Sequence, residues 1–282
     1  DSPVMIDAAP DAFTLGAWGP AAMVVGADGL MIEMHPDPKH ALVICFGTGQ
    51  TANAVRQENP ESLDIVDINP RVPMLAHNFL SNQGVLNDPR VKLTIMDGRA
   101  YMRRTTKTYD VITLEPMPPS FAGVNALYSK EFYQLARQKL GPKGTIAQWL
   151  PLHLVSPYYM MSIVKTFTAV FPNAVLWLDP PSRTGIIVGT AQENADLEAR
   201  WPGFARTNIT RDLSEQEVRQ AVYLNAKEIE FFSTPGNVVT DDNQMLAYGN
   251  AVNALYELAS GNDLGNRKEL AWTKNKDLKA NP

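Results

Sequence analysis

The chain has 282 residues, 45% of them hydrophobic and 20% charged, a balance that builds a buried core and excludes collagen-like or intrinsically disordered architectures. Its 25 basic and 30 acidic residues leave a net charge of −5, which repels a phosphate backbone and disfavours nucleic acid as a broad electrostatic partner. A single cysteine, Cys45, cannot close an internal disulfide, and no Asp, Glu or His spacing matches a zinc or calcium site, so no metal is expected.

Residues 1–40 carry Gly16, Gly19, Pro20, Gly26, Gly29, Pro36 and Pro38 and read as an irregular lead-in with one short helix from Leu30 to Met34. The chain opens at Asp1 with no basic region ahead of an apolar stretch, so a trimmed or processed end is expected, and the lone cysteine suits a reducing, cytoplasmic setting. Ala41–Phe46 is an apolar, β-branched run followed at once by Gly47, Thr48 and Gly49 and then a helical stretch through Glu58. Leu63–Ile68 repeats the strand pattern, with Asn69 and Pro70 as N-cap and first helical residue. Val91–Met96, Tyr109–Leu114 and Gly144–Leu150 continue the strands, with helices at Arg99–Arg104 and Ser129–Leu140 between them. Strands alternating with helices predict a parallel sheet in one domain over residues 41–190.

The uncharged run between Lys143 and Lys165 is long enough to suggest a membrane span, but Gln148, Pro151, His153 and Pro157 interrupt it. A buried strand, a turn and a helix from Ser156–Pro157 to about Val170 account for it better. Ala174–Leu178 and Gly185–Gly189 then form a pair that closes the sheet as an antiparallel edge. Residues 191–282 read as a helical C-terminal extension. Ser214 with Glu217 makes a capping box for a helix through about Leu224, and the basic stretch from Asn262 reads as a solvated, partly disordered tail.

In an open α/β sheet the ligand sits beyond the carboxyl ends of the strands. The first strand ends in Gly47–Thr48–Gly49, where absent side chains let a ligand approach the backbone or simply make a turn. The second ends in Asp67, 18 residues beyond Gly49, close to the spacing at which a carboxylate accepts from ribose hydroxyls; a strand-end acid or capping partner is the alternative. Asp97–Gly98 ends the third and either meets an adenine amino group or forms a plain turn. Glu115 ends the fourth and is held by Pro116, Met117, Pro118 and Pro119. It suits a general base, an amine-binding group or a surface cap. His153, Cys45 and Met160–Met161 are assigned to packing, and Thr240–Asp241–Asp242 to pocket edge or, better, to capping the helix that follows.

The segments VICFGTGQT (Val43–Thr51), DIVDIN (Asp64–Asn69), DPRVKLTIMDG (Asp88–Gly98), YDVITLE (Tyr109–Glu115), LYSKEFY (Leu127–Tyr133) and LGPKGTIAQ (Leu140–Gln148) resemble, in order and spacing, the polyamine aminopropyltransferases, or spermidine synthases. QWLPL after the fifth strand and TDD near the C-terminus are most similar to the spermidine-synthase-like bacterial branch, whose members often carry membrane helices ahead of this domain. The resemblance implies a doubly wound, mostly parallel sheet of the class I methyltransferase type with a helical C-terminal appendage. It implies binding of decarboxylated S-adenosylmethionine or S-adenosylmethionine as co-substrate and release of methylthioadenosine. Gly47 and Gly49 would line the nucleoside, with Thr48 between them, Asp67 would hold the ribose, and Asp97 and Gly98 would meet the adenine. Glu115 takes the place of the aspartate that deprotonates the attacking amine.

The chain departs from the family pattern on the acceptor side. Thr48 stands where an aspartate contacts the aminopropyl portion, Pro118 where a second aspartate anchors the acceptor, and Asp179–Pro180–Pro181–Ser182 where a tyrosine-bearing loop is usual. The lead-in lacks the N-terminal β-hairpin module. The nucleoside half is kept and the amine half is not, so the expected partners are a small-molecule nucleoside and an unidentified acceptor, with a homo-oligomer compatible. Transfer of an aminopropyl or related alkyl group is the first expectation. Methyl transfer from intact S-adenosylmethionine and a non-catalytic nucleoside-binding or assembly module are the alternatives.

Overall fold

Alternation along β1 (His40–Ile44) dictates the layering: Ala41 and Val43 point into one apolar cluster and Leu42 and Ile44 into another, none more than 1% exposed. β2 (Ser62–Asp67) divides in the same way, with Leu63 and Ile65 joining the first cluster and Val66 the second. In β4 (Tyr109–Leu114), Val111 faces the first cluster, and Ile112 and Leu114 the second. A sheet apolar on both faces has to be covered on both, which is why it is parallel and wound on two sides. Helix α1 (Gln50–Gln57) covers the first face through Ala52 and Val55. The short α2 (Arg71–Met74) and three 3₁₀ turns follow β2. Helices α3 (Gly98–Arg104), α4 (Lys130–Lys139) and α5 (Pro157–Thr168) cover the second face through Met102, Phe132, Tyr133, Ile163 and Phe167.

The computed structural model describes residues 35, 37–119, 121, 123–178, 185–197, 222–249 and 262–276. The expected Leu30–Met34 helix, the Asp179–Ser182 loop and the Ser214–Glu217 capping box lie outside them. With β3 (Val91–Ile95), β5 (Leu140–Leu150), β6 (Val175–Leu178), β7 (Gly185–Thr190) and β8 (Val222–Leu224), the strand order is β3-β2-β1-β4-β5-β7-β6-β8. β1 to β5 pair in parallel, and β7 runs antiparallel to both β5 and β6. The doubly wound, mostly parallel sheet with an antiparallel closing pair is as the sequence leads one to expect.

Several local expectations need correction. β5 begins at Leu140, four residues before Gly144, because Leu140 pairs with Tyr109 ahead of a register shift. Asn69 is not the cap of α2: Pro70 occupies that place, and the Asn69 side chain instead accepts from the Arg71 N–H at 3.0 Å. Val222–Leu224 is a strand on the edge of the sheet beside β6, not the end of a helix. Beyond it come α6 (Ala226–Ser233), headed by an Asn225–Glu228 capping box, and α7 (Met245–Tyr248). The stretch from Asn262 is no solvated tail. It forms α8 (Asn262–Asn275), whose buried Asn266 donates to the carbonyls of Leu152 and Val155, both at 2.7 Å, and whose Leu270 is 1% exposed. Burial of Asn266, Leu270 and Thr273 and the ion pair of Lys274 with Glu228 outweigh its basic composition. Among the described residues, no helix is long and apolar enough to cross a membrane.

Candidate active site

The strand order turns back between β1 and β4, and the crevice beyond their carboxyl ends is where a parallel sheet of this kind offers a site. The loop leaving β1 is sharply bent: Cys45, Gly47 and Gly49 all have positive φ. Gly49 is obligatory, since its φ is +83° and a Cβ there would lie 2.5 Å from the Phe46 ring and 2.9 Å from Cβ of Asn82. Gly47 faces open space, with nothing within 4 Å of where a Cβ would stand, and so is the glycine that leaves room beside the backbone. Buried Asn82 pins the loop from behind by donating to the Thr48 carbonyl at 3.0 Å and the Ala76 carbonyl at 2.7 Å. Nothing near the glycines in sequence points to Asn82. It arrives through the 3₁₀ turns after α2.

Asp67 is buried at the end of β2, and its carboxylate accepts from the Phe46 N–H and the Asn69 N–H, both at 2.8 Å. It therefore shapes the glycine loop as well as the crevice. Its neighbour Ile68 is 68% exposed and offers a bare apolar face beside the carboxylate. Asp97 caps α3 by accepting from Ala100 N–H at 2.7 Å. A Cβ on Gly98 would meet Cγ2 of Ile44 at 2.5 Å, so that glycine brings the start of α3 against β1. Glu115, following β4, accepts a 2.7 Å hydrogen bond from the hydroxyl of Thr51 in the first turn of α1. The Pro-rich turn after it is held by Tyr128, whose hydroxyl donates to the Met117 carbonyl at 3.3 Å.

Cys45 packs against the second apolar cluster, as expected, within reach of the charge of the strand-end acids. Burial, with the charges of Asp67, Glu115 and Asp97 acting in the same direction, pushes its thiol up to about 12. The thiol stays protonated at neutral pH and is no nucleophile. The bond from the Phe46 N–H to Asp67 and the bond from Thr51 to Glu115 set these two acids around the turn between β1 and α1. His153 lies against Trp149 with the rings tilted at 59° and their centroids 5.9 Å apart, and Met160 and Met161 are core residues, as expected.

The Thr240–Asp241–Asp242 motif does not cap the helix after it, whose N-terminal flank is Gln244 without a side-chain cap. Asp241 instead takes both terminal nitrogens of Arg99 and donates its own N–H to Glu131 at 3.0 Å. The guanidinium holds the Asp241 carboxyl below the ordinary aspartate range.

Residues 28–193 match the spermine/spermidine synthase domain. The chain belongs to that family. It is 36% identical over 174 residues to a polyamine aminopropyltransferase of Archaeoglobus fulgidus, covering 59% of this chain and 62% of the relative. It is 32% identical over 188 residues to that of Oceanobacillus iheyensis, covering 63% of this chain and 33% of the relative. The chain thus spans less than two thirds of either relative's length. Among solved structures, a spermidine synthase in complex with the transition-state analogue AdoDATO superposes with a TM-score of 0.64 at 19% identity, over 75% of each chain. That likeness establishes the spermidine synthase fold.

Proposed function

We propose that this site transfers the aminopropyl group of decarboxylated S-adenosylmethionine to a nucleophilic nitrogen. The observation that carries the reading is the sign of the charges at the carboxyl ends of the strands: Asp67 closes β2, Asp97 follows β3 as the cap of α3, Glu115 follows β4, and all are acidic. A sulfonium bearing a free amine and no carboxylate is attracted to such a site, whereas intact S-adenosylmethionine would bring its own carboxylate against them. The spermidine synthase bound to AdoDATO supports the same choice of donor. Asp67 would accept from the ribose, the open backbone at Gly47 would sit against the nucleoside, and Asp97 with Gly98 and Ile68 would border the adenine.

In the reaction, the lone pair of the acceptor nitrogen attacks the carbon next to sulfur, the C–S bond breaks, and the electron pair leaves on methylthioadenosine. The new C–N bond leaves an extra proton on nitrogen, which Glu115 accepts. The cationic sulfur supplies the electrophile, and a base of carboxylate strength suffices once the amine is losing its proton in the transition state. Replacing Glu115 by Gln keeps the shape and the Thr51 contact but removes basicity. Methylthioadenosine release should then fall about 10²–10⁴-fold while nucleoside affinity stays within a few-fold. Full turnover by the Gln variant rules the role out, and methyl transfer from S-adenosylmethionine in the same assay would favour a methyltransferase instead.

A further inference from the structure

Among the described residues, the helical threonines divide into two kinds. Thr166 donates to the Ser162 carbonyl, Thr168 to the Val164 carbonyl and Thr273 to the Glu269 carbonyl, each one turn back in its own helix. That is the ordinary fate of a threonine hydroxyl in a helix. Thr51, only 3% exposed, instead donates across the switch point to Oε1 of Glu115, 64 residues away, at 2.7 Å. A hydroxyl carries one proton, and that of Thr51 points to the carboxylate that follows β4.

We infer that Thr51 is the positioning residue of the proton-accepting carboxylate, an inference that rests on the proposed transfer reaction. A glutamate reaches further than an aspartate and has one more rotatable bond, so it needs a tether to hold a single geometry. Thr51 supplies that tether from the rigid first turn of α1, whose start is itself set by the Gly49 turn. The bond does a second thing. Donation to an ionised carboxylate favours its charged form. Without the hydroxyl, Glu115 would lose this donor and hold a proton to higher pH. The geometry thus makes α1 part of the acid–base machinery as well as of the nucleoside loop.

The test compares Thr51→Val, which keeps shape and removes the donor, with Thr51→Ser, which keeps the donor. Thr51→Ala serves if the valine does not fold. With decarboxylated S-adenosylmethionine and a working amine, Thr51→Val should lower kcat about ten- to hundred-fold, leave methylthioadenosine affinity within about three-fold, and move the acid limb of the kcat profile up by about one pH unit. Thr51→Ser should restore both rate and limb. A merely structural threonine would lower thermal stability and weaken nucleoside binding without moving the limb. Wild-type kcat and an unmoved limb in Thr51→Val, with Glu115→Gln inactive alongside, overturn the inference. If wild-type protein releases no methylthioadenosine with any acceptor, the transfer reading fails. The Thr51 inference is then decided by a carbon-13 carboxyl titration of Glu115, where an identical midpoint in wild type and Thr51→Val overturns it.

Discussion

Arg99, two residues beyond Asp97, grips both carboxylate oxygens of Asp241 from 142 residues down the chain. The Arg99 side chain is 12% exposed and that of Asp241 37%, so the pair lies at the edge of the interior. Through Asp241 N–H and Glu131 it joins α3, α4 and the segment before α7. The C-terminal segment is thereby fastened beside the residue expected to meet adenine.

Cutting that fastening has a defined cost. Asp241→Asn leaves a mostly buried guanidinium with a weaker partner, and after allowance for solvent screening it should destabilise the protein by about 1 kcal/mol, or roughly 2–4 °C in Tm. Because the native carboxyl is held below the ordinary value of 3.8, its contribution is full above that pH and disappears as the pH falls through the folded value. The difference in Tm between wild type and variant should therefore be present at pH 7 and shrink below about pH 4. A constant difference across that range would show that the ion pair is not its source.

Asp67 has two duties, and both can be measured. Asp67→Ala removes a charged acceptor facing the crevice and the acceptor of the Phe46 and Asn69 N–H groups. Methylthioadenosine binding by calorimetry should weaken about ten- to hundred-fold, consistent with roughly 1.5–3 kcal/mol for hydrogen bonds to a charged group. Unchanged affinity would remove Asp67 from the nucleoside site.

Putrescine should be a poor acceptor. A diammonium substrate needs oxygen acceptors at both ends, and Pro118, three residues after Glu115, has none to offer from its side chain. A buried ammonium without a partner costs at least a few kcal/mol, hence orders of magnitude in specificity. Methylthioadenosine release should be compared across putrescine, cadaverine, spermidine and no amine. A kcat/KM for putrescine above about 10⁴ M⁻¹s⁻¹, the lower end of ordinary enzymes, would overturn the argument.

Glu58, at the C-terminal end of α1, makes stability depend on pH in the opposite sense from Asp241. Burial pushes its carboxyl up to about 7 from an ordinary 4.5, and Oε1 is buried with no hydrogen-bond partner among the described residues. The native state therefore binds the proton more tightly than the unfolded chain. The associated stability is full below pH 4.5 and is lost as the pH rises through 7. Glu58→Gln should match wild type near pH 4 and exceed it by about 1 kcal/mol at pH 8, the value being reduced because the side chain is only partly buried. Equal denaturation midpoints at pH 8 would count against this account.

The strand-end signals were legible because they are local. A β-branched run stopped by Gly47–Thr48–Gly49, an acid closing β2, an Asp–Gly before α3 and Glu115 before a run of prolines are all written in neighbouring residues. Sheet topology then brings those ends together, since parallel strands all finish at the same edge. The motif at Thr240–Asp242 misled for the converse reason. A Thr–Asp pair before a short helix reads locally as a cap, and only a partner far away in sequence turns Asp241 into a clasp.

From the sequence by itself came the parallel α/β sheet, the glycine turn and the carboxylates at its strand ends, because hydrophobic period and turn chemistry act over a few residues. Only the tertiary structure decided that Thr51 bonds Glu115, that Asn82 braces Thr48, that Arg99 holds Asp241, and that the basic C-terminal stretch is a docked helix. Those pairings join residues tens to more than a hundred positions apart. A side chain's choice among such partners depends on which elements packing has already brought within about 3 Å, and no local pattern of residues encodes that distance.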